Sequence, residues 1–423
     1  MHQKTVFANG LRVVSEFIPH ARTVCVGMWV DVGARDEHDL TNGCSHFVEH
    51  MFFKGTPSRS ASQIAVELDV LGGMSNAFTS KDATCYYGMV IDSQLPRLVD
   101  LLADFFLHSL FADEEIERER EVVLQEISMV EDTPEEQVHE LFERLLWGTH
   151  PLGNTILGSP EVVSAMDRRK LLDHVRSFYT PGRIVIAAAG NVQHQNFCDL
   201  ISASFSSLSQ PVAAAHSRTA PLQQPAVRKV YVKQLEQAHV TLGSYGIAIS
   251  SEERYKLMLL NILLGGNMSS RLFQEIREKR GLAYSVHSYI DSYSDSGYLG
   301  IYLGVNPANL NESLAVIQDE LDKISGSPVS MPELANAKDY ARAGLLLAAD
   351  NLEMRMTRIA RNELYFGRHI DFDEVLAGLS DVSAEDVLQL AGNLFNRGMT
   401  AAVLGPVAEE DVQWDLLAGI SGS

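Results

Sequence analysis

Residues 44–56 read CSHFVEHMFFKGT, and within them His46 and His50 stand four positions apart with Glu49 between them. Most of the neighbouring residues are apolar, which predicts a largely buried helix. On a helix, residues four apart share a face, so both imidazoles can reach one ion. Buried imidazole and carboxylate groups are costly without a partner. The stretch therefore predicts a metal-binding helix.

The same spacing predicts what a metal could do there. Neutral imidazole suits zinc, and Glu49 can reach the open side of the metal without being a ligand. From there it can take a proton from water that the metal has acidified. The pattern H-x-x-E-H is the inverted form of the zinc-protease pattern H-E-x-x-H. The alternative is a helix with two surface histidines and a salt-bridging glutamate, which the apolar flanks disfavour.

A third ligand is expected from the acidic helix predicted over residues 112–137. Most of its charges belong on a solvated surface, but Glu126 lies inside VVLQEI, on the apolar stripe. Glu119 lies two turns earlier on the same face and could brace a histidine ligand. The alternative for Glu119 is an i,i+4 ion pair with a neighbouring arginine or lysine. Cys44, two residues before His46, is a weaker candidate ligand.

Composition limits the class of protein. The chain has 423 residues, 46% of them hydrophobic, and a net charge of −21, so it is expected to fold into globular domains. The negative charge argues against nucleic acid as a partner and is compatible with basic substrates. We expect no signal peptide and no membrane span, and hence a cytoplasmic protein. The four cysteines form no regular framework and are expected to be reduced.

The order of predicted elements repeats. A hairpin, strands and helices up to the buried strand GRIVIAAAGNV (182–192) are followed by a stretch rich in proline, alanine, serine and glutamine. The second half then follows the same plan without an HFVEH counterpart. The pattern predicts an α+β fold of two similar domains related by duplication, each an antiparallel-rich sheet packed with helices. We place them at 1–208 and 228–423, with a linker at 209–227.

Four segments, in order, resemble those of the M16 metallopeptidases, the inverzincin family. They are GCSHFVEHMFFKGT, GGMSNAFTSKDATCYY, EREREVVLQEI and SSRLFQEIREKRGLAYSV. The resemblance covers nearly the whole chain and is closest to the short bacterial branch, near the β subunit of the mitochondrial processing peptidase. It implies a zinc-dependent endopeptidase with one Zn²⁺ per chain.

The resemblance also implies a set of site residues. His46, His50 and Glu126 fall on the family's metal ligands and Glu49 on its general base, while Glu119 matches its supporting glutamate. Asn76 and Ala77 fall on the edge strand that holds substrate backbone. Arg277 and Tyr284 match a pair that orients substrate and stabilises the oxyanion. Without the family, REKRGLAY is simply a helix end capped by Gly281.

Partners follow from the same resemblance. Long members of the family close four such domains round a chamber, so a homodimer of this chain would restore four, and a heterodimer with a paralogue is the other possibility. The expected substrates are short unfolded peptides or presequence-like segments, although Gly265 and Gly266 alone stand where one relative has a long glycine-rich loop. Two alternatives remain, a non-catalytic partner subunit and a small metal-dependent lyase with a cysteine ligand.

Overall fold

The computed structural model describes residues 2–208 and 218–417. Their contacts divide the chain into two units. The first unit comprises the described residues within 1–128, 154–218 and 347–370. The second comprises those within 129–153, 219–346 and 371–423.

The first unit contains a six-stranded mixed sheet. Its strands are β1 (His2–Val6), β2 (Arg12–Phe17), β3 (Thr23–Val30), β4 (Met74–Thr79), β5 (Thr84–Ile91) and β6 (Ile184–Gly190). Their order is β1-β2-β6-β3-β5-β4, and β2 with β6 is the one parallel pair. The predicted opening hairpin joins β1 to β2 through a turn at Asn9 and Gly10, with Gly10 at a φ of +92°. The buried strand predicted at 182–192 is β6.

The second unit contains a five-stranded sheet of the same plan. Its strands are β7 (Arg228–Val232), β8 (Ala238–Tyr245), β9 (Ala283–Ser292), β10 (Gly297–Val305) and β11 (Thr400–Gly405). Their order is β7-β11-β8-β10-β9, which matches β2-β6-β3-β5-β4, and β7 with β11 is again the parallel pair. The predicted α+β fold with an internal duplication is therefore confirmed.

Helices cover both sheets. In chain order they are α1 (Cys44–Phe52), α2 (Ala61–Val70), α3 (Leu95–His108), α4 (Asp113–Asp132), α5 (Pro134–Trp147), α6 (Pro160–Ser164), α7 (Arg168–Phe178), α8 (His194–Ser204), α9 (Arg254–Leu264), α10 (Leu310–Gly326), α11 (Met331–Ala348), α12 (Leu352–Phe366), α13 (Phe372–Asp381) and α14 (Ala384–Phe395). A π-helical segment, Phe273–Lys279, precedes β9. The acidic helix predicted at 112–137 is divided, because α4 ends at Asp132 and Pro134 begins α5.

Each unit incorporates one helix from the opposite half of the sequence. Helix α12 packs on β2, β3 and β6 of the first unit, whereas α5 packs on β8 and β11 of the second. A Cβ atom on Gly27 of β3 would overlap the Met356 sulfur of α12. A Cβ atom on Gly243 of β8 would lie 2.8 Å from the Phe142 ring of α5. Equivalent glycines thus allow equivalent close approaches of helix to sheet.

The compact units differ from the predicted domains by these two exchanged segments. Hydrophobic pattern predicts that a segment is a helix but not which sheet receives it. Residues 209–217 of the predicted linker lie outside the described residues, Arg218 belongs to the first unit, and 219–227 belong to the second. Within the described part of the chain, the helices that are long enough to cross a bilayer are not apolar enough to do so.

Candidate metal centre

Helix α1 carries its chemical groups on one face. Cys44, Phe47, Val48 and Met51 are fully buried in the core of the first unit, while the opposite face presents His46, Glu49 and His50. The His46 and His50 rings have centroids 4.7 Å apart. The amphipathic pattern of CSHFVEHMF thus orients both imidazoles toward the same space.

Glu126 of α4 meets both histidines. Its Oε2 atom lies 3.6 Å from His46 Nε2 and 3.6 Å from His50 Nε2. Val123 and Ile127, on either side of Glu126 in the sequence, are buried, which anchors this turn of α4. Among the described residues, these three side chains are the one group of three or more His, Cys, Asp or Glu residues whose ligand atoms approach closely enough for a metal.

The cluster fits a tetrahedral ion. Bonds of about 2.1 Å in tetrahedral geometry separate ligand atoms by about 3.4 Å, close to the 3.6 Å spacings here. Glu126 Oε2 is also buried and has no hydrogen-bond partner among the described residues. A buried carboxylate oxygen without a donor is costly, and a cation would satisfy it. Two imidazoles and a carboxylate also form a donor set that zinc accepts in proteins.

Protonation would not block the first ligand. Burial, and then the nearby His50, lowers the pKa of His46 to about 3. His46 is therefore neutral at ordinary pH, and neutral imidazole is the form that binds metal.

Glu119 orients the second histidine. Its Oε2 lies 3.0 Å from His50 Nδ1 and its Oε1 lies 2.6 Å from Lys54 Nζ. Burial opposes ionisation of Glu119, but these two contacts lower its pKa and keep it charged. A carboxylate at Nδ1 keeps the ring proton on that nitrogen. The lone pair of His50 Nε2 is then free on the side of the ring that faces Glu126, where a metal would bind. The lysine paired with Glu119 is Lys54, which follows α1 and is not the i,i+4 neighbour on α4 that the alternative expected.

Glu49 lies beside the cluster and is held by a threonine. Thr79 Oγ1, at the end of β4, donates a hydrogen bond of 2.5 Å to Glu49 Oε2. Burial raises the pKa of Glu49, and the Thr79 hydrogen bond acts in the opposite direction. Sequence reasoning missed Thr79. Its position two residues after Ala77, on the same face of β4, was the available signal.

Asn76 and Ala77 lie on an edge strand, as expected. β4 is at the end of the sheet and pairs with β5 alone. The outward N–H of Ala77 donates to the Asn76 side-chain oxygen at 2.9 Å. A groove of about 340 Å³ runs beside this strand, with Glu49, Phe53 and Leu68 in its lining. The first unit thus places an open strand edge, a groove and the metal cluster together.

The remaining candidates lie elsewhere. Cys44 is buried, and its sulfur faces the carbonyl oxygen of Lys170 at 3.9 Å, outside the cluster. Arg277 and Tyr284 belong to the second unit, where the Arg277 guanidinium lies 4.4 Å from the Tyr284 ring centroid. Tyr284 is 77% exposed. Gly281 has a φ of +61°, as the predicted helix cap requires.

Comparison with known families gives a consistent result over most of the chain. The model of the Insulinase family (Peptidase family M16) matches residues 12–160, and that of the Peptidase M16 inactive domain matches residues 165–340. The first match contains the metal cluster. The second contains Arg277 and Tyr284.

Individual relatives agree with the family models. The uncharacterized zinc protease YmxG of Bacillus subtilis is 40% identical over 94% of this chain and 97% of its own. An uncharacterized zinc protease of Mycobacterium tuberculosis is 41% identical over 96% of this chain and 93% of its own. Among solved structures, a protease from Helicobacter pylori has a TM-score of 0.89 at 23% identity, covering 96% of this chain and 99% of that one. The structural likeness supports the fold alone.

Proposed function

The chain belongs to peptidase family M16, and we propose that it is a zinc-dependent endopeptidase that hydrolyses short, unfolded peptides. The observation that carries the proposal is the convergence of His46, His50 and Glu126 on one point, with the Glu49 carboxylate beside it. The names of the relatives support zinc as the metal. We propose one Zn²⁺ per chain, since the described residues form one such cluster.

His46, His50 and Glu126 would hold the ion. When bound, zinc supplies Lewis-acid chemistry, polarising a carbonyl group and acidifying water. Glu119 fixes the orientation of the His50 ring through Nδ1. Glu49, oriented by Thr79, takes a proton from the attacking water at a carboxylate oxygen. It then returns that proton to the nitrogen of the leaving amine as the C–N bond breaks.

The substrate would bind as an added strand. The outer edge of β4 offers the backbone of Ala77, with the Asn76 side chain beside it, to an extended peptide, so affinity would depend little on sequence. Asn76 would have to release the Ala77 N–H when the peptide binds. The net charge of −21 favours basic peptides. Presequence-like segments are one class of short, basic, unfolded substrate.

The direct test compares the wild type with Glu49→Gln. We expect both proteins to retain about one zinc per chain, because Glu49 is not a ligand. We expect the variant to cleave a quenched basic peptide about 10²–10⁴-fold more slowly, because the proton acceptor is lost. The measurements are zinc content and initial rate. Zinc without turnover in the wild type would favour a non-catalytic partner subunit, and absence of zinc would contradict the metal site itself.

We further propose that the chain acts as a homodimer that encloses a chamber, with a paralogue heterodimer as the alternative. Arg277 and the exposed Tyr284 would then act at the zinc site of the partner subunit, orienting the substrate and stabilising the oxyanion. Cation–π contact with Arg277 holds the Tyr284 ring at the surface of the second unit.

Subunit mixing tests this arrangement. Glu49→Gln and Tyr284→Phe should each be nearly inactive alone, and a mixture should regain activity, because a mixed dimer contains one complete site. The expected recovery is roughly a quarter of wild-type activity for random exchange of equal amounts. The measurement compares the cleavage rate of the mixture with the rates of the two variants assayed separately. A mixture no faster than the average of the two would contradict a site shared between subunits.

A further inference from the structure

The metal-bearing helix α1 begins without a side-chain cap of its own. Its N-cap residue is Gly43, which has a φ of +92° and no side chain to accept a hydrogen bond. The first N–H groups of a helix have no partner within the helix and need acceptors from elsewhere. Because the start of α1 is buried, water is not a ready substitute.

Glu37 supplies the missing acceptors from outside the helix. Its Oε2 receives the Gly43 N–H at 2.7 Å and the Asn42 side-chain amide at 3.1 Å. Its Oε1 receives the Ser45 N–H at 2.5 Å. Glu37 is 4% exposed and the Ser45 hydroxyl also donates to it, so the carboxylate is committed to these donors. Burial raises the pKa of Glu37 to about 7, and the hydrogen bonds oppose that shift.

The residues that lead into α1, Asn42 and Gly43, are also held by a second segment. The Asn42 amide donates to the Thr155 carbonyl oxygen at 2.9 Å. A Cβ atom on Gly43 would lie 2.5 Å from the Leu157 carbonyl oxygen, so the backbones are in close contact. The start of α1 is therefore clamped between Glu37 and the 155–158 segment.

The segment that carries Glu37 also joins the end of β4. The Ala34 N–H donates to the Ser80 carbonyl oxygen at 3.0 Å, and the Arg35 N–H donates to that of Lys81 at 3.1 Å. Thr79, which holds Glu49, directly precedes Ser80. Residues 34–37 thus connect the start of the metal helix with the strand end that orients the general base.

We propose that Glu37 is a positioning residue of the metal centre, fixing the rotation of α1 and thereby the placement of His46 and His50. The inference rests on the proposed metal site. His46 follows Ser45 directly, so a change in the direction of the Ser45 N–H moves the backbone that carries the first ligand. An ordinary cap would stabilise the helix without affecting the ligands.

Glu37→Gln tests the proposal at pH 8, above the pKa of Glu37. The glutamine amide has nearly the same shape as the carboxylate. Its NH₂ group is a donor, however, and would face a backbone N–H that needs an acceptor. We expect zinc to bind about tenfold or more weakly, as for other residues that support metal ligands, measured by competition with a chelating dye. The visible absorption of bound Co²⁺ should also change, because it reports the geometry of the ligands. Asn42→Ala, which removes one of the donors to Glu37, should cause a smaller change in the same direction.

Asp371→Ala is the control, since alanine removes the capping acceptor whereas asparagine would keep it. Asp371 caps α13 of the second unit with its carboxylate, through the Glu374 N–H at 2.7 Å. This variant should lose stability without losing zinc affinity. If Glu37→Gln folds and keeps wild-type zinc affinity and Co²⁺ absorption, the inference is wrong whatever its melting temperature. If Glu37→Gln does not fold, unchanged zinc affinity in Asn42→Ala overturns it instead. A wild type that binds no zinc would refute the proposed function, which is a separate result.

Discussion

At the scale of single residues, the hydroxyl of Thr79 and the carboxylate of Glu49 form the contact closest to the proposed proton transfer. The hydrogen bond is 2.5 Å long and partly buried. It holds Glu49 in one orientation and stabilises its charged form. A general base is effective only when it is both deprotonated and correctly placed.

Thr79→Val should therefore lower kcat/KM about tenfold and move the acid limb of its pH profile upward. Burial already raises the pKa of Glu49, and the hydrogen bond opposes the rise. Without the bond the pKa goes higher, so a higher pH is needed to deprotonate the base. Thr79→Ser keeps the hydroxyl and should retain the wild-type profile. The measurement is the profile of kcat/KM against pH for the wild type and both variants. An acid limb that does not move in the valine variant would contradict the role given to Thr79.

The sequence was sufficient to predict the proposed metal ligands and Glu119, but not every group that supports them. His46 and His50 follow from helical spacing within five residues, and Glu126 from its place on an apolar stripe. Thr79 and Glu37 could not be found in this way, since each acts on α1 from a strand end or a loop. Such contacts depend on the tertiary arrangement of the elements, which the local hydrophobic pattern of the sequence does not encode.

At the scale of elements, α1 and α7 meet through a buried polar contact. The Ser45 hydroxyl and His174 Nε2 are 3.2 Å apart. His174 is 7% exposed, and burial lowers its pKa to about 4. The neutral ring is thus part of the packing between these helices.

Acid should weaken this packing. The pKa of His174 is about 4 in the folded state and about 6.5 in the unfolded chain, so its contribution to stability is complete above pH 6.5. It is lost as pH falls toward 4, because the unfolded chain binds the proton more readily. The loss amounts to as much as about 3 kcal/mol. Urea unfolding of the wild type and His174→Gln from pH 4 to 7 measures it. Equal slopes against pH in the two proteins would refute the assignment.

At the scale of the whole molecule, the exchanged helices bind the two halves of the sequence into common units. Helix α12 covers Trp29 and neighbouring strand residues in the first unit, and the Trp29 indole N–H donates to the Met356 sulfur at 3.3 Å. Helix α5 buries Val138, Phe142 and Leu146 in the second. The predicted acidic helix reached only the first residues of α5, and α12 was not predicted from the sequence. The exchange itself depends on tertiary packing.

A chain ending at residue 208 should therefore fail to fold on its own. It would lack α12, leaving one sheet face uncovered, and would expose the apolar face of α5. The same applies to a chain of residues 218–423. Co-expressed, the two pieces should associate and regain zinc binding, which gel filtration and metal analysis would detect. A folded, monomeric 1–208 fragment with a cooperative melting transition would contradict this prediction.

The exchange also sets an order of events during synthesis. The N-terminal portion of most multidomain chains folds first as it leaves the ribosome. Here the first unit includes residues 347–370, so it cannot be completed until residues 219–346 of the second unit have been translated. During that interval, the sheet face that α12 later covers lacks its packing partner. Both units consequently reach completion close together in translation, because the second unit in turn needs β11, which follows α12 in the chain.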